Sequence, residues 1–418
     1  MEITPVVQCR ICKSKNLVPI LSLDNQFVSD FLISENPKCS KIPLELLLCD
    51  PNSGGCGLLQ LRHSVPPDMM YKQYWYKSGI STTIKNDLQD IVSKIQKLSD
   101  LKNNDIVVDI GCNDGTLLRF YNNKDLIRVG FEPARNLVKE AEVGTNKIIN
   151  NFFNYDDFHK NFRNKRTKVI TAISMFYDLE DPNKFIDDIT KILDPEGVFV
   201  IQQNYLLSML EQNAFDNICH EHLEYYSLFS LENLLKNHNL EVFDVELNNI
   251  NGGSFRTYIR FRNSSVKPFT GADDRIKRVR EKESKLGLQD KRIYQEFGSR
   301  VNDIKEKLLD FIKAEIKKEK KIYVYCASTR GNVTLQFCGI DNKMITAATD
   351  KNPEKWGRKT VGSMIPIIPL EQYRKENPDY LLVLPWHFFE EIKEQEKEYF
   401  NSGGKFIVPL PEFRIVEK

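Results

Sequence analysis

Residues 107–116, which read VVDIGCNDGT, constrain the fold of this chain more than any other stretch. Residues 106–108 form a short β-branched apolar run, as expected for a strand buried on both faces. Gly111 and Gly115 follow, and residues 117–120 then begin a helical pattern. Because glycine lacks a Cβ, the backbone at these positions can take a positive φ and approach a ligand closely. The stretch therefore predicts a strand, a ligand-facing turn and a helix within an α/β sheet.

The spacing of these glycines distinguishes between classes of ligand. A dinucleotide site would read G-x-G-x-x-G, whereas this turn reads D-x-G-x-x-x-G. The latter resembles the turn of S-adenosylmethionine-dependent methyltransferases, whose ligand has no pyrophosphate to place at the helix N-terminus. An acidic residue after the next predicted strand suits a ribose diol, because a carboxylate can accept from both hydroxyls. The alternative is a βαβ turn without a ligand. The residues predicted to bind this cofactor are Asp109, Gly111, Asn113, Asp114, Gly115 and Glu132.

Four cysteines near the start of the chain have the arrangement of a metal site. Cys9 and Cys12 form a C-x-x-C turn, while Cys49 and Cys56 flank a loop compacted by a proline and two glycines. Pairing two such turns is the usual way for four thiolates to reach tetrahedral zinc. A redox C-x-x-C is the alternative for the first pair, but it would normally follow a strand and begin a helix. We expect a structural zinc ion, for which Cys39 is not needed.

The bulk composition limits the classes of function. The 418 residues suffice for two or three domains. With 59 Lys and Arg against 58 Asp and Glu, the charge gives no reason to expect binding to nucleic acid or to an anionic membrane. No apolar run approaches the ~18 residues of a spanning helix, and no secretory signal is visible. We expect a cytoplasmic protein whose cysteines are thiols or metal ligands. We also expect a monomer, since the aromatic clusters do not suggest a dimer interface.

Polar residues follow a second apolar run, VITAI at residues 169–173. In an open α/β sheet, ligands lie at the carboxyl ends of the strands. We therefore predict that Ser174, Met175 and Tyr177 line the cofactor site and that Asp178 lies on the substrate side. Asp178 could equally cap the helix that follows.

The stretch richest in side chains that can carry out acid–base chemistry is FDNICHEHLEYYSLFSLENLL at residues 215–235. Cys219, His220, Glu221 and His222 are consecutive, so their side chains project in different directions. The H-E-x-x-H spacing that places two histidines on one helix face is absent, which argues against a catalytic metal. A histidine of near-neutral pKa that is oriented by a carboxylate suits proton abstraction instead. The stretch therefore predicts a general base.

An aromatic segment at residues 71–79, YKQYWYKSG, precedes a helix predicted from Thr82 to about Leu101. It is either a packing cluster between domains or a lid whose phenols and Ser78 reach the active site. The sequence leaves both interpretations open.

A second α/β unit follows a charged helical connector at about residues 270–320. Its first strand leads into the turn ASTRGN at residues 327–332, whose amides and hydroxyls could hold phosphate. The turn lacks the G-K-[ST] of a P-loop, so hydrolysis of a nucleoside triphosphate is not expected, and a purely structural turn is the alternative. We divide the chain into a zinc-binding module (1–70), a central Rossmann-like domain (71–265) and the connector with a second Rossmann-like α/β domain (266–418).

These parts, in this order, resemble the three-part sugar C-methyltransferases of deoxysugar biosynthesis. The resemblance covers essentially the whole chain and rests on the four cysteines and on the DIGCNDG, YWYKSG, HEHLEYYS and CASTRGN segments. It implies methyl transfer from S-adenosylmethionine to C3 of a nucleotide-linked 4-keto-6-deoxyhexose. It also implies that the zinc is structural and that the C-terminal domain helps to hold the nucleotide sugar.

The resemblance also implies roles for individual residues. His222 matches the catalytic histidine of the family and would take the C3 proton. Glu221 would orient that histidine or bind the sugar, and Tyr76 would lie at the sugar or at the oxyanion. Two residues near the sugar depart from the family pattern, with Cys219 in place of a common tyrosine and Asp178 in place of a common histidine. We further predict substrate contacts for His220, Ser328, Arg330, Gly331 and Asn332.

Three other functions were weighed against this one. An O- or N-methyltransferase acting on a related nucleotide sugar would use His222 to deprotonate a hydroxyl or an amine. A zinc-bearing nucleic-acid-binding module is disfavoured by the neutral charge. A dehydrogenase is disfavoured by the glycine spacing.

Overall fold

The protein is described here by a computed structural model that covers residues 3, 5–34, 37 and 40–418. Cys39 lies outside these residues. The described chain forms a four-stranded, a seven-stranded and a six-stranded sheet, together with a two-stranded ribbon. None of the helices in this part of the chain combines the length and apolar character needed to cross a bilayer.

The N-terminal sheet is antiparallel and is built on alternating leucines. Leu44, Leu46 and Leu48 recur at every second position of the third strand and are buried. The chain leaves that strand at Cys49, turns, and pairs again with the same strand, so this hairpin presents the second cysteine pair. The strands of this part are β1 (Leu17–Gln26), β2 (Phe31–Leu32), β3 (Ile42–Cys49) and β4 (Leu59–Leu61).

The central domain has seven strands in the order β11-β12-β9-β8-β5-β6-β7. The strands from β9 to β7 are parallel, and the antiparallel hairpin of β11 and β12 closes one edge. Its elements are α1 (Pro67–Tyr71), α2 (Thr82–Leu98), β5 (Ile106–Ile110), α3 (Thr116–Arg119), β6 (Ile127–Phe131), α4 (Val138–Ala141), β7 (Lys147–Ile149), α5 (Tyr155–Phe162), β8 (Thr167–Ile173), α6 (Pro182–Ile192), β9 (Leu193–Asn204), α7 (Leu206–Glu211), β10 (Glu224–Tyr225), α8 (Leu228–Leu235), β11 (Leu240–Asn248) and β12 (Ser254–Phe261).

The strand predicted at residues 106–108 is β5, at the point where the strand order reverses. The chain proceeds from β5 to β6 on one side, and it later returns to β8 on the other side. Such a switch point opens a crevice at the carboxyl ends of the strands, where ligands of open α/β sheets bind. The fold therefore places the glycine turn after β5 at the mouth of a binding crevice.

The C-terminal part is a second, mostly parallel α/β sheet in the order β16-β14-β13-β17-β18-β19, of which only β19 is antiparallel to its neighbour. This arrangement confirms the predicted α/β fold class. The elements of this part are α9 (Ala272–Leu286), α10 (Lys291–Lys317), β13 (Ile322–Tyr325), α11 (Thr329–Phe337), β14 (Ala347–Thr349), β15 (Lys359–Thr360), β16 (Ile367–Ile368), α12 (Leu370–Glu376), β17 (Tyr380–Val383), α13 (Phe389–Gln395), α14 (Lys397–Asn401), β18 (Lys405–Val408) and β19 (Arg414–Val416).

Two strand pairings join the N-terminal sheet to the other two parts. The short strand β2 pairs with β15 of the C-terminal domain. The strand β10 of the central domain pairs with β4 and so becomes the fourth strand of the N-terminal sheet. Because β10 begins two residues after His222, the N-terminal module supports the stretch that carries the predicted base.

Candidate active site

A cavity of about 890 Å³ lies where the three parts meet. Its walls come from the carboxyl ends of β5, β6 and β8, from the aromatic segment at residues 71–79, from the loop before β10, and from the turn after β13. The cavity therefore brings together all the segments for which the sequence predicted a functional role, apart from the four predicted zinc ligands.

Glu132 and Gly111 form the cofactor end of this cavity. The Glu132 carboxylate accepts the backbone amide of Asn113 at 2.7 Å and that of Ala134 at 2.8 Å, and it still lines the cavity. A carboxylate has further lone pairs, so it can also accept from ribose hydroxyls. Gly111 has a φ of 68°, and a Cβ there would lie 3.1 Å from the Met175 side chain. Only glycine lets this turn pass so close beneath Met175.

Asp109 is a second carboxyl group at this end. It accepts the Thr171 hydroxyl at 2.6 Å, which ties β5 to β8. Burial raises the pKa of both Asp109 and Glu132 to about 7. Asn113 and Ser174 also line the cavity, and both take a positive φ.

Asp114 and Gly115 do not line the cavity, contrary to our prediction. The Asp114 carboxylate is fully buried and accepts the Thr116 hydroxyl at 2.6 Å and the Gly79 amide at 2.7 Å. A Cβ on Gly115 would lie 2.9 Å from the carbonyl oxygen of Ala141. Both residues shape the turn instead, and Asp114 fastens it to the aromatic segment.

The aromatic segment both packs between domains and lines the cavity. Trp75 packs edge-on against Phe31 of the N-terminal module, with ring centroids 5.7 Å apart. The Tyr71 hydroxyl donates to the backbone carbonyl of Glu221 at 2.9 Å. Tyr76 lines the cavity on the side of Asp114 and Asp87. Tyr71 and Tyr74 line the same cavity, on the side of Asp178 and Glu221.

His222 faces the cavity and is held in one tautomer. Its Nδ1 lies 2.8 Å from the carbonyl oxygen of Asn217, and since a carbonyl only accepts, the ring hydrogen is on Nδ1. Nε2 is then left with a free lone pair. Burial lowers the pKa of this imidazole to about 4, so the ring is neutral near pH 7. The orienting group is therefore a backbone carbonyl, whereas the sequence predicted a carboxylate.

Glu221, Asp178 and Cys219 lie together in the cavity wall next to His222. The Cys219 thiol is hydrogen-bonded to the Glu221 carboxyl group, and burial holds the pKa of the thiol well above its usual value. The alternative role of Asp178 as a helix cap is excluded, because Asp181 caps α6. The two positions that depart from the family pattern are thus both in the substrate end of the cavity.

His220 does not reach the cavity, which corrects its predicted substrate contact. Its side chain is 2% exposed, and its Nε2 donates to the carbonyl oxygen of Ile42 on β3 at 3.2 Å. Burial lowers its pKa to about 4. His220 therefore anchors the loop to the N-terminal sheet.

The turn after β13 contributes Ser328 and Arg330 to the cavity wall. The Arg330 guanidinium donates to Asp216 at 2.9 Å and to the carbonyl oxygen of Asn251 at 3.0 Å. Gly331 and Asn332, which were also predicted to contact the substrate, lie in the first turn of α11 and are buried outside the cavity wall. The Ser328 side chain accepts the Gly331 amide and caps this helix.

The four predicted zinc ligands come together in the N-terminal module. The Sγ atoms of Cys9, Cys12, Cys49 and Cys56 all lie within 4.8 Å of one another. Cys9 and Cys56 are 3.4 Å apart, and Cys12 and Cys49 are 3.5 Å apart. Zinc–sulfur bonds of about 2.3 Å place tetrahedral thiolates at similar separations. The four residues therefore fit a closed, structural zinc ion.

Comparisons with known proteins agree with this arrangement. Residues 9–71 match a zinc binding domain, residues 84–245 a methyltransferase domain, and residues 249–411 a C-methyltransferase C-terminal domain. The chain is 28% identical to the C-methyltransferase NovU of Streptomyces niveus over 99% of this chain and 98% of that protein. The chain is therefore similar to C-methyltransferases that carry an N-terminal zinc-binding domain. It is a methyltransferase, and its cofactors are S-adenosylmethionine and a structural zinc ion, as predicted.

Two solved structures each cover about two fifths of this C-methyltransferase. An S-adenosylmethionine-dependent methyltransferase from Clostridium acetobutylicum is 14% identical, with 42% of this chain and 92% of that chain covered at a TM-score of 0.34. Magnesium protoporphyrin IX methyltransferase from Synechocystis is 8% identical, with 42% and 79% covered at a TM-score of 0.32. These TM-scores are too low to carry an argument about the site.

Two features of this C-methyltransferase were not singled out from the sequence. Tyr71 and Tyr74 face the substrate end, and Asp350 lines the cavity after β14 in the C-terminal domain. A signal for Asp350 existed, because it follows the second strand of its α/β unit just as Glu132 follows β6. No local signal separates Tyr71 and Tyr74 from Tyr76.

Replacing Glu132 by glutamine is expected to weaken binding of S-adenosylhomocysteine about tenfold, since an amide loses one acceptor toward the ribose and a charge-assisted hydrogen bond is worth about 1.5–3 kcal/mol. Titration calorimetry of the purified chain measures the affinity. Glu142→Gln, an exposed change outside the cavity wall, is the matched control. Equal affinities for the two variants would place the ribose elsewhere.

Proposed function

We propose that this protein methylates C3 of a nucleotide-linked 4-keto-6-deoxy sugar by base-catalysed enolisation, with S-adenosylmethionine as the donor. The observation that carries the proposal is the His222 imidazole, whose Nε2 is free within the cavity that joins the cofactor turn to the C-terminal domain. Such a base has no need of a metal or a covalent intermediate to act beside a ketone. We further propose that the enzyme is a cytoplasmic monomer, as the sequence predicts.

The first chemical step is proton transfer from carbon. A hydrogen next to a ketone is weakly acidic, because the electron pair left on carbon delocalises onto the carbonyl oxygen. His222 Nε2 takes this proton, and Nδ1 keeps its hydrogen bond to Asn217 throughout. The low pKa of the resting imidazole keeps it in the base form. The neighbouring enolate then favours the protonated ring by charge attraction.

The cofactor end supplies the electrophile. Glu132 and the Gly111 turn would hold the adenosyl portion of S-adenosylmethionine, whose sulfonium makes its methyl group open to attack by a carbon nucleophile. Holding the two reactants in one closed cavity contributes much of the acceleration expected of such an enzyme.

The C-terminal domain would hold the nucleotide. The backbone after β13 forms a turn that opens toward the cavity, and Ser328 and Thr329 line it. Asp350 follows β14 at the position that Glu132 occupies after β6, which suits a second ribose. Its carboxylate accepts the Lys355 ammonium at 2.9 Å and the Asn352 amide at 2.8 Å, so it is held in place.

Isotope exchange tests this function before any product is needed. We expect deuterium from solvent to enter C3 of the accepted 4-keto sugar when only S-adenosylhomocysteine is present, because enolisation does not require methyl transfer. The candidate substrates are 4-keto-6-deoxyhexoses linked to dTDP, GDP, CDP or UDP. With S-adenosylmethionine, carbon NMR should then show the new methyl group attached to carbon.

The alternative is an O- or N-methyltransferase acting on a related sugar. It predicts a methyl carbon with the shift of an ether or an amine, and no deuterium at C3. Either of these results would contradict enolisation. Absence of turnover on every nucleotide sugar tried would contradict the substrate class.

A further inference from the structure

Two carboxyl oxygens at the substrate end of the cavity have no hydrogen-bond partner. They are Asp178 Oδ1 and Glu221 Oε2, and neither is reached by solvent. Glu221 as a whole is 7% exposed, and both residues line the cavity. A buried polar oxygen without a partner costs about 1–3 kcal/mol. Since these two share one wall, they indicate a ligand that supplies the missing partners.

The remaining hydrogen bonds of these carboxyl groups come from uncharged side chains. The Tyr71 hydroxyl donates to the backbone carbonyl of Glu221 at 2.9 Å and lies within hydrogen-bond reach of the Asp178 carboxyl group. The Cys219 thiol contacts the Glu221 carboxyl group. Among the residues that the structure describes, neither carboxyl group has an ion-pair partner.

The surroundings of the pair are aromatic and acidic. The charge of Glu221 acts on Asp178, and two buried carboxyl groups that repel each other are costly to ionise together, so one of them keeps its proton. Titratable and charged groups face the pair from five segments of the chain. They are Tyr71 and Tyr74 of the aromatic segment, Tyr177 after β8, Cys219, His222, Glu224 and Tyr225 before α8, Asp30 of the N-terminal module, and Arg330 of the turn after β13.

We propose that protonated Asp178 donates a hydrogen bond from Oδ1 to the carbonyl oxygen of the substrate, while Glu221 Oε2 accepts from a donor on the carbon next to that carbonyl. The inference deepens the proposed function and rests on it. It names the substrate class as a ketone with a neighbouring hydroxyl or amino group. In this chain Asp178 thereby does what a histidine would do at the same position.

The pair completes the enolisation chemistry. As His222 Nε2 takes the proton from carbon, the electron pair moves onto the carbonyl oxygen, where the Asp178 hydroxyl already donates. The proton stays on Asp178, and the hydrogen bond strengthens as charge builds on the oxygen. A donor placed in a dry site in this way is typically worth about 100- to 1,000-fold in rate. Attack of this carbon on the methyl group would break the bond between methyl and sulfur, and the electron pair of that bond would stay on sulfur in S-adenosylhomocysteine. The electron pair on the oxygen then returns and the carbonyl is restored, while His222 keeps the proton that it took from carbon.

Difference infrared spectroscopy tests the retained proton without any substrate. We expect the spectrum of the wild type minus that of Asp178→Asn at pH 7.5 to contain the carbonyl band of a protonated carboxyl group. The matched control is Asp303→Asn on the exposed face of α10, which should lose only an ionised carboxylate band. An ionised carboxylate band for Asp178 would overturn the inference while leaving the proposed function standing.

The pH profile of deuterium exchange tests the role of the proton in catalysis. The pKa of Glu221 is raised by burial to about 7, and burial with the neighbouring Glu221 charge holds the pKa of Asp178 well above its usual value. Exchange should therefore rise with pH as Glu221 ionises near pH 7 and fall at higher pH as Asp178 loses its proton. In Asp178→Asn the alkaline fall should vanish, because an amide donates without titrating. In Glu221→Gln the rise near pH 7 should vanish, and the alkaline fall should move to lower pH, since a neighbouring negative charge is gone.

The size of the rate effects completes the test. Asp178→Asn should keep the exchange rate within about tenfold, whereas Asp178→Ala should lose about 100-fold or more. Affinity for S-adenosylhomocysteine shows that each variant is folded. Equal losses in the asparagine and alanine variants would exclude the donor role. If the wild type exchanges no substrate, the proposed function fails, and the infrared result still decides whether the proton is there.

Discussion

Replacing His222 by glutamine is expected to lower both deuterium exchange at C3 and methyl transfer about 1,000-fold, which lies within the range that general bases contribute. Glutamine fills a similar space beside Tyr177, whose ring centroid lies 4.5 Å from that of the imidazole. However, an amide has no lone pair basic enough to take a proton from carbon. Exchange measured by NMR with S-adenosylhomocysteine bound separates this step from methyl transfer.

The matched control for this change is His159→Gln. His159 lies on α5, where its Nδ1 is 3.3 Å from the Tyr155 hydroxyl, and it is not part of the cavity wall. The His159→Gln variant should exchange deuterium and transfer methyl groups at the rates of the wild type. Affinity for S-adenosylhomocysteine should be the same in all three proteins, because the cofactor turn is untouched. A His222→Gln variant that exchanges deuterium at the rate of the control would move the base to another residue.

The parts of the site that could be predicted are those that depend on local backbone geometry. The turn after β5, the acidic residue after β6 and the two cysteine turns each follow from spacing within one short segment. Gly111 has the positive φ that its place in the pattern requires, and Glu132 lines the cavity as expected. The fold class follows from the same signals, because two strand–turn–helix units define two parallel sheets.

The parts that could not be predicted depend on contacts between distant segments. His220 and His222 lie two residues apart, and only the resemblance to a known family, not the local pattern, distinguishes the two histidines. In the structure, His220 turns toward Ile42 on β3 and His222 turns toward the cavity. That difference is set by the pairing of β10 with β4, which joins residues more than 160 positions apart.

Misassignments within the glycine turn have a similar origin. Asp114 has the residue type and position of a cofactor ligand, but its carboxylate accepts the Gly79 amide. That contact exists only because the aromatic segment crosses the turn, a feature of tertiary packing. The positions of Tyr71 and Tyr74 beside Asp178 have the same origin, since the path of the segment across the cavity cannot be read from the order of its residues.

The N-terminal module has a part in catalysis that its zinc ligands alone do not suggest. Arg10 lies between two of the cysteines and is 3% exposed. Its backbone amide donates to the Gln60 side chain at 3.0 Å, and its guanidinium donates to the carbonyl oxygen of Leu61 at 2.7 Å. The Leu61 amide in turn donates to the carbonyl oxygen of Leu223 at 2.9 Å. Three hydrogen bonds and one strand pairing thus connect the first zinc turn to the residue after His222.

Removal of the zinc ion is therefore expected to lower methyl transfer at least about 100-fold, since a displacement of about 1 Å at a catalytic group has an effect of this size. Structural zinc contributes about 10–16 kcal/mol of apparent binding energy in zinc-finger peptides, so the module should not hold its fold without the ion. Hydrogen exchange read by mass spectrometry should accelerate at residues 42–49, 59–61 and 222–225 together. Residues 106–110 and 127–131, which hold the cofactor, should change little.

Cysteine variants separate this effect from unspecific damage by a chelator. Cys49→Ala removes one zinc ligand, whereas Cys338→Ala removes a buried thiol at the end of α11 that is not a ligand. We expect the first variant to lose zinc and most of its methyl transfer, yet to bind S-adenosylhomocysteine within about threefold of the second, because the cofactor turn does not rest on the N-terminal sheet. A zinc-free protein that transfers methyl groups at the rate of the Cys338→Ala control would show that β10 holds His222 in place without the module. The hydrogen bonds from Arg10 to Leu61 and from Leu61 to Leu223 argue for the opposite result, since they connect the first zinc turn to the loop that carries His222.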